Sequence, residues 1–483
     1  MRVNSIPLVR KPMRIHLLNL SLFALLAGPA AAQFTFDPGV NYAVGDRPGG
    51  VAALDIDNDG DLDLAATADN PDRVVLFLNN GSGVFANAGS FATGAGTGAE
   101  ELAAGDLDGD GDADLAVVLQ NSNRLRVWLN QGGSFTAGAM AVIGLESRGL
   151  DIGDHDDDGD LDLTVANRDS NTANVLTNNG SATFSVTTLT AGDEPRAAAF
   201  SDIDSDGDLD VAVTNHDART VSVFRNTGGS FALLTTLSSG PNVRPEGITG
   251  ADLNMDGLGD FAVASNDPSV VQIYLSQGAS FTGPNNYATG GIGSGDVAAA
   301  DFDCDGDLDL ATSNKDSNNL SVMANNGAGA FGTPAIVATG TVPEVIIAAQ
   351  LDGQNGPDLV TANQLGNNMT VVMNQSCSGG GVVLTVQGSC PGPMGFVASG
   401  ATPGGRVIYL RAFGTGSAVI PAGNPCAGTV LGLDNSAAVA ASVTAGPGGN
   451  ALVNVNVPAA ACGRIFVQVL DVATCRTSNV AGI

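Results

Sequence analysis

Aromatic residues make up only 5% of this 483-residue chain, with one Trp, and there are only three His and six Cys. A single Trp and no Gly-His or Trp-Asp pairs exclude a WD40 array. Beyond residue 32 no apolar run approaches the ~18 residues that span a bilayer, so no later transmembrane helix is expected. General bases are scarce: past residue 32 there remain two His (His155, His216), one Lys (Lys315) and four Tyr. With no nucleophile elbow and no metal-hydrolase helix motif, little supports catalysis.

Residues 1–32 read as a secretory signal: Arg2, Arg10, Lys11 and Arg14, an apolar run from Leu17 to Gly28, then Ala30, Ala31 and Ala32. A start at Met13 would give a more ordinary signal. Cleavage after Ala32 takes four of the 19 basic residues and none of the 50 acids, leaving a net charge of −35. Nucleic acid and anionic lipid are poor partners at that charge. The expected location is secreted or at a bacterial cell surface.

What the chain has in abundance is Asp in one arrangement: 31 of the 50 acids fall in seven nine-residue segments. The first carries Asp55, Asp57, Asp59, Asp61 and Asp63; the second Asp106, Asp108, Asp110, Asp112 and Asp114. The third carries Asp154, Asp156, Asp158, Asp160 and Asp162; the fourth Asp202, Asp204, Asp206, Asp208 and Asp210. The fifth has Asp252, Asn254, Asp256, Leu258 and Asp260; the sixth Asp301, Asp303, Asp305, Asp307 and Asp309. A degraded seventh keeps only Asp352 and Asp358, with Gln350 and Gln354 elsewhere. Their starts lie 51, 48, 48, 50, 49 and 49 residues apart, a period that marks a repeat architecture.

Within each period four short runs alternate with turns. In the fourth they are Arg196 to Phe200, Leu209 to Thr214, Thr220 to Phe224 and a run from Phe231. Four strands in about 49 residues, repeated in tandem, make a propeller blade. The Ala-rich first strands, such as Val51-Ala-Ala and Val297-Ala-Ala-Ala, suit the crowded axis. The seventh unit lacks its fourth run, and a spare copy stands at residues 34–45, so that segment is expected to close the seventh blade. The predicted fold is all-β: a seven-bladed propeller over 33–375, a linker at 376–381 and a C-terminal β-sandwich over 382–483. Five cysteines fall after residue 375, with Cys390–Cys426 and Cys462–Cys475 as candidate disulfides and Cys377, in the linker, unassigned. Cys304, at position four of the sixth loop, is expected to be a free thiol.

Alternating oxygen donors at positions one, three and five, Gly at six, a carbonyl at seven and Asp at nine suit a hard cation, best calcium. Zinc or copper would want Cys or His. An EF-hand needs Glu at position 12 before a helix, whereas these loops place Ala66, Val117, Val165 or Val213 there. Six loops are expected to hold calcium and the seventh none. His155, at position two of the third loop, is expected to face solvent.

These loops, with the Asn-x-Gly-x-Gly-x-Phe turn at Asn79 to Phe85 and Asn325 to Phe331, resemble FG-GAP/VCBS repeats, the family that includes the integrin α-chain propeller. The resemblance implies structural calcium and often adhesion or glycan recognition. The opposite face offers a candidate ligand surface. Arg47, Arg148, Arg196, Arg244 and Glu246 enter the innermost strands beside Glu101, Glu194, Asp296 and Glu344. Arg73, Arg124, Arg168, His216, Arg219 and Lys315 join the second and third strands. Such a mouth would take an acidic sugar or a partner loop; the plain alternative is ion pairs between neighbouring blades. His216 is read as a surface residue. A monomeric binding or adhesion scaffold for an extracellular glycan or protein is the expected function, with a calcium-dependent polysaccharide lyase or other carbohydrate-active enzyme, or a purely structural surface protein, as alternatives.

Overall fold

The computed structural model describes residues 34–376 throughout, and only strand backbones between Val383 and Gly482. The signal segment, the residues after Ser376 that begin the linker and the candidate pairings Cys390–Cys426 and Cys462–Cys475 lie outside the described residues. Among the described residues no helix is long and apolar enough to cross a membrane.

Seven four-stranded antiparallel sheets form a closed ring. Blade four shows the common plan: Pro195–Ser201 innermost, then Asp210–Asn215, Thr220–Arg225 and Ala232–Ser238 at the rim. The second strand is buried along its whole length and the outer one is largely exposed. This gradient explains why the second runs read as continuous Val, Ala and Leu while the outer runs carry Thr and Ser. Innermost strands approach so closely that a Cβ added at Gly50 would lie 2.9 Å from the Glu101 Cα of the next blade. That crowding is the reason for their small residues.

The ring closes on a borrowed strand. Val40–Ala43 pairs antiparallel with Asn368–Val372, Val40 opposite Val371 and Tyr42 opposite Met369, and so becomes the outer strand of blade seven. Gln375 N–H donates to the Thr35 carbonyl at 2.7 Å and extends the seam. Each interface between neighbouring blades has its own apolar cluster. Between blades three and four, Ala166, Val175 and Leu189 pack on Phe200, Val211 and Phe224; across the closing seam, Leu64 and Phe77 join Val360 and Met369. The stabilisation of the ring is therefore spread over neighbour contacts.

Cys304 corrects one expectation. It is not a free thiol but disulfide-bonded. Its backbone φ of 60° matches that of Asn58 (62°) and Ser205 (57°) at the same position of loops one and four.

Candidate functional site

Each Asp-rich loop joins the first two strands of its blade. Position six is Gly in loops one to six, with φ near +90°, as at Gly60 (94°) and Gly159 (92°). An L side chain rarely adopts that conformation, and the turn folds positions one, three and five onto one side. The position-one carboxylate accepts two N–H groups across the turn: Asp55 takes Asp59 N–H at 3.2 Å and Gly60 N–H at 2.9 Å, and Asp154 does the same with Asp158 and Gly159. Carboxylate oxygens of Asp55, Asp57 and Asp63 lie within 4.8 Å of one another, as do those of Asp106, Asp108 and Asp114, and of Asp154, Asp156 and Asp158.

Position nine has a second task. Its Oδ2 accepts the position-two N–H of its own loop in all seven blades, at 2.9–3.1 Å. Its Oδ1 accepts the N–H of Asn79, Asn130, Asn178, Asn226, Ser276, Asn325 or Asn374, sixteen residues on, at 2.7–2.9 Å.

The electrostatics suit a cation. Burial, followed by repulsion from Asp305 and Asp301, pushes the Asp303 carboxyl up to about 6, and burial followed by Asp305 and its neighbours does the same for Asp307. Burial also raises Asp309 to about 8 and Asp210 to about 7. Asp156, Asp204 and Asp307 each keep a buried Oδ1 with no hydrogen-bond partner. Clustered oxygens, mutual repulsion and orphaned acceptors are what a divalent cation would relieve, so these residues fit calcium.

On the opposite face, a mouth around the axis is lined by Glu100, Glu101, Glu246, Asp296 and Glu344 with Arg148, Arg196 and Lys315. The cations are engaged across blade boundaries. Arg148 pairs with Glu100 at 3.5 Å, Arg196 reaches Glu246 at 4.0 Å as well as Glu194 at 2.7 Å, and Lys315 pairs with Glu344. Below the mouth the axis opens into a cavity of about 400 Å³ lined by Glu101, Asp151 and Asp296 among small apolar residues. Of the other residues expected here, Arg244 stands 3.7 Å from Asp217, and Arg47 is exposed with its N–H on Asn367 Oδ1. Arg73 turns elsewhere, to the Val44 carbonyl at 3.0 Å.

The FG-GAP-like repeat family matches the chain over residues 55–117, 154–213, 202–263 and 252–312. The ring is an FG-GAP propeller. No curated protein matches it. Among solved structures, a protein from Lactobacillus plantarum is similar at 16% identity and a TM-score of 0.48, covering 61% of this chain and 86% of its own. BBS1N, in a crystal structure of its complex with ARL6DN soaked with lead, is similar at 12% identity and a TM-score of 0.49, covering 70% of this chain and 96% of its own.

Two histidines of the FG-GAP propeller sit differently from expectation. His155 is fully buried rather than solvent-facing, with Nε2 2.8 Å from Thr177 Oγ1 and its ring edge-on to Phe231. Position two is the apolar anchor of every other loop, held by Ile56, Leu107, Ile203, Leu253, Phe302 and Leu351, all buried. That column of apolar residues was the signal for His155.

His216 is likewise buried, not a surface residue. It stands 3.4 Å from Glu194, 3.1 Å from Asp217 and 3.3 Å from Glu246, bridging blades four and five. Arg168 and Arg196 beside Glu194, and Arg244 beside Asp217, already balance these carboxylates, so the group is an ion-pair hub rather than a metal centre. Burial alone would lower the His216 pKa and Arg196 opposes its charge, but Glu246 and Asp217 outweigh them and hold it above the usual value. The bridge therefore stabilises the fold fully below pH about 6.5, and that contribution is lost as pH rises through the elevated folded value. His216→Gln is expected to remove this component of the stability-versus-pH curve; identical curves for the two proteins would refute the bridge.

The FG-GAP propeller also carries a ring of side chains that sequence reasoning left without a role. Asn79, Asn130, Asn178, Asn226, Asn325 and Asn374 each donate Nδ2 to the position-two carbonyl of the preceding blade's loop, and Ser276 donates Oγ, all at 2.7–2.9 Å. Their constant offset of sixteen residues from the position-nine Asp was visible in the sequence.

Proposed function

We propose that this chain is an exported calcium-binding propeller, with calcium in loops one to six, that acts as a binding or adhesion scaffold for an extracellular glycan or protein. The observation that carries the reading is the gathering of carboxylates in the loops, with orphaned oxygens in loops three, four and six, on an FG-GAP propeller. The mouth's cations are all engaged by carboxylates and acids outnumber bases there, which favours a neutral glycan or a basic protein loop over an acidic sugar. The buried mouth acids and His216 are held in backbone bonds and ion pairs, and nothing among them forms a nucleophile and base pair.

The metal is structural in this reading. With about 1 mM free calcium and a dissociation constant near 0.1 mM, each site stabilises the fold by roughly 1.4 kcal/mol. Six such sites reach on the order of 8 kcal/mol, comparable to a whole domain's stability. Calorimetric titration of chelator-stripped protein is expected to find six calcium ions, and EDTA to lower the melting temperature by more than about 10 °C. An unchanged melt in EDTA would overturn the calcium reading. A glycan array alongside a lyase assay on acidic polysaccharides separates scaffold from enzyme: unsaturated products would reject the scaffold.

A further inference from the structure

The seventh loop joins the same two strands as the other six but with a different filling and turn, with Asn355 at φ 55° in position six and Gly356 at φ 88° in position seven. In loops one to six the residue at position one is an Asp whose oxygens accept N–H groups from across the turn. In the seventh the direction reverses. Gln350 Nε2 donates to the Gln354 carbonyl at 3.0 Å and to the Gly356 carbonyl at 2.9 Å. Its Oε1 still accepts Asp352 N–H at 3.3 Å, and Asp352 Oδ1 accepts Gln354 N–H at 2.8 Å. Asp358 makes the same two backbone bonds as every other position-nine Asp.

A carboxamide presents two polar hydrogens from one nitrogen, so it can satisfy two inward carbonyls at once. A carboxylate at that position could not; its loop needs an external positive charge to reconcile its acceptors. We propose that the seventh loop is a metal-independent version of the others, in which the Gln350 amide does internally what the ion does in loops one to six. This inference rests on the calcium reading of those six loops.

Its place in the ring gives it a purpose. Blade seven is the one joined by a borrowed strand rather than by continuous chain. The seventh loop is wired into that seam: Asn355 Nδ2 donates to Gln375 Oε1 at 3.0 Å, and Gln375 Nε2 donates to Asp37 Oδ2 at 3.0 Å. On its other side Asn79 of blade one donates to the Leu351 carbonyl. The loop beside the seam thus stays closed when calcium falls, and metal loss loosens the other blades before the ring can open.

Hydrogen exchange read by mass spectrometry on the full chain, in calcium and in EDTA, tests this. Peptides spanning loops one to six are expected to exchange roughly tenfold faster in EDTA, the loss of about 1.4 kcal/mol of local stability, while 350–358 stays unchanged. Gln350→Ala is expected to speed exchange at 350–358 roughly fivefold in both conditions, through loss of the two Nε2 bonds that close the turn. Combining Gln350→Asp with Gln354→Asp should make the seventh loop EDTA-sensitive. If six loops respond to EDTA and the seventh responds equally, or if Gln350→Ala changes nothing, this inference alone falls. If no loop responds, the calcium reading fails and takes the inference with it.

Discussion

Asp358→Ala is expected to destabilise the propeller by roughly 2–6 kcal/mol without changing how much calcium it binds. Asp358 is fully buried, and its two oxygens hold Leu351 N–H at 2.9 Å and Asn374 N–H at 2.7 Å. Truncation leaves both amides inside the protein without acceptors, and an unsatisfied buried donor costs about 1–3 kcal/mol. The seventh loop isolates this effect because its Gln350 and Gln354 leave it short of carboxylates for an ion. Asp358→Asn keeps one acceptor oxygen and should lose about half as much. Urea denaturation is the measurement: a lower midpoint at constant slope means lost stability, and a shift under about 0.5 kcal/mol would show that the clasp is dispensable. The equivalent Asp162→Ala in loop three removes clasp and candidate ligand together. Its loss should therefore be larger in calcium than in EDTA, whereas that of Asp358→Ala should be the same in both.

The repeat unit, its four strands and the borrowed closing strand were all legible, because each depends on local pattern and on a spacing that can be counted along the chain. The Asp loops were legible as oxygen clusters for the same reason. What crosses from one blade to the next was not. The position-nine Asp looked like one more ligand, since nothing local shows that its oxygens already hold two amides. His155 looked like a polar residue in a polar loop, although the column of Ile, Leu and Phe at position two in the other blades marks it as a core position. His216 looked solitary because Glu246 is thirty residues away in sequence and belongs to the next blade. Arg148, Arg196 and Lys315 line one mouth, but their engagement by Glu100, Glu246 and Glu344 of neighbouring blades depends on how the blades abut.

The same distinction between local and cross-blade contacts sets the second large effect. Asn226→Ala should cost on the order of 3 kcal/mol, more than any exposed ion pair of the mouth, which would contribute less than about 1. Asn226 is fully buried; its Nδ2 donates to the His155 carbonyl at 2.7 Å and the Leu209 carbonyl at 3.1 Å, and its Oδ1 accepts Gly229 N–H at 2.9 Å. One bond ties blade four to blade three across 71 residues of sequence, and the others pin the Asp loop and the turn within the blade. Blade five shows how these parts separate. Ser276 stands at the equivalent position and, with a shorter side chain, still donates to the Ile203 carbonyl of blade four at 2.7 Å. Asn226→Ser should therefore recover about 1 kcal/mol of the alanine loss, the worth of a single buried hydrogen bond. If serine and alanine cost the same, the tie between blades contributes nothing and the Asn acts only within its own turn. If serine recovers stability, the ring of seven such donors holds each blade to its predecessor independently of any ion, and a calcium-stripped propeller retains its order of blades while its loops loosen.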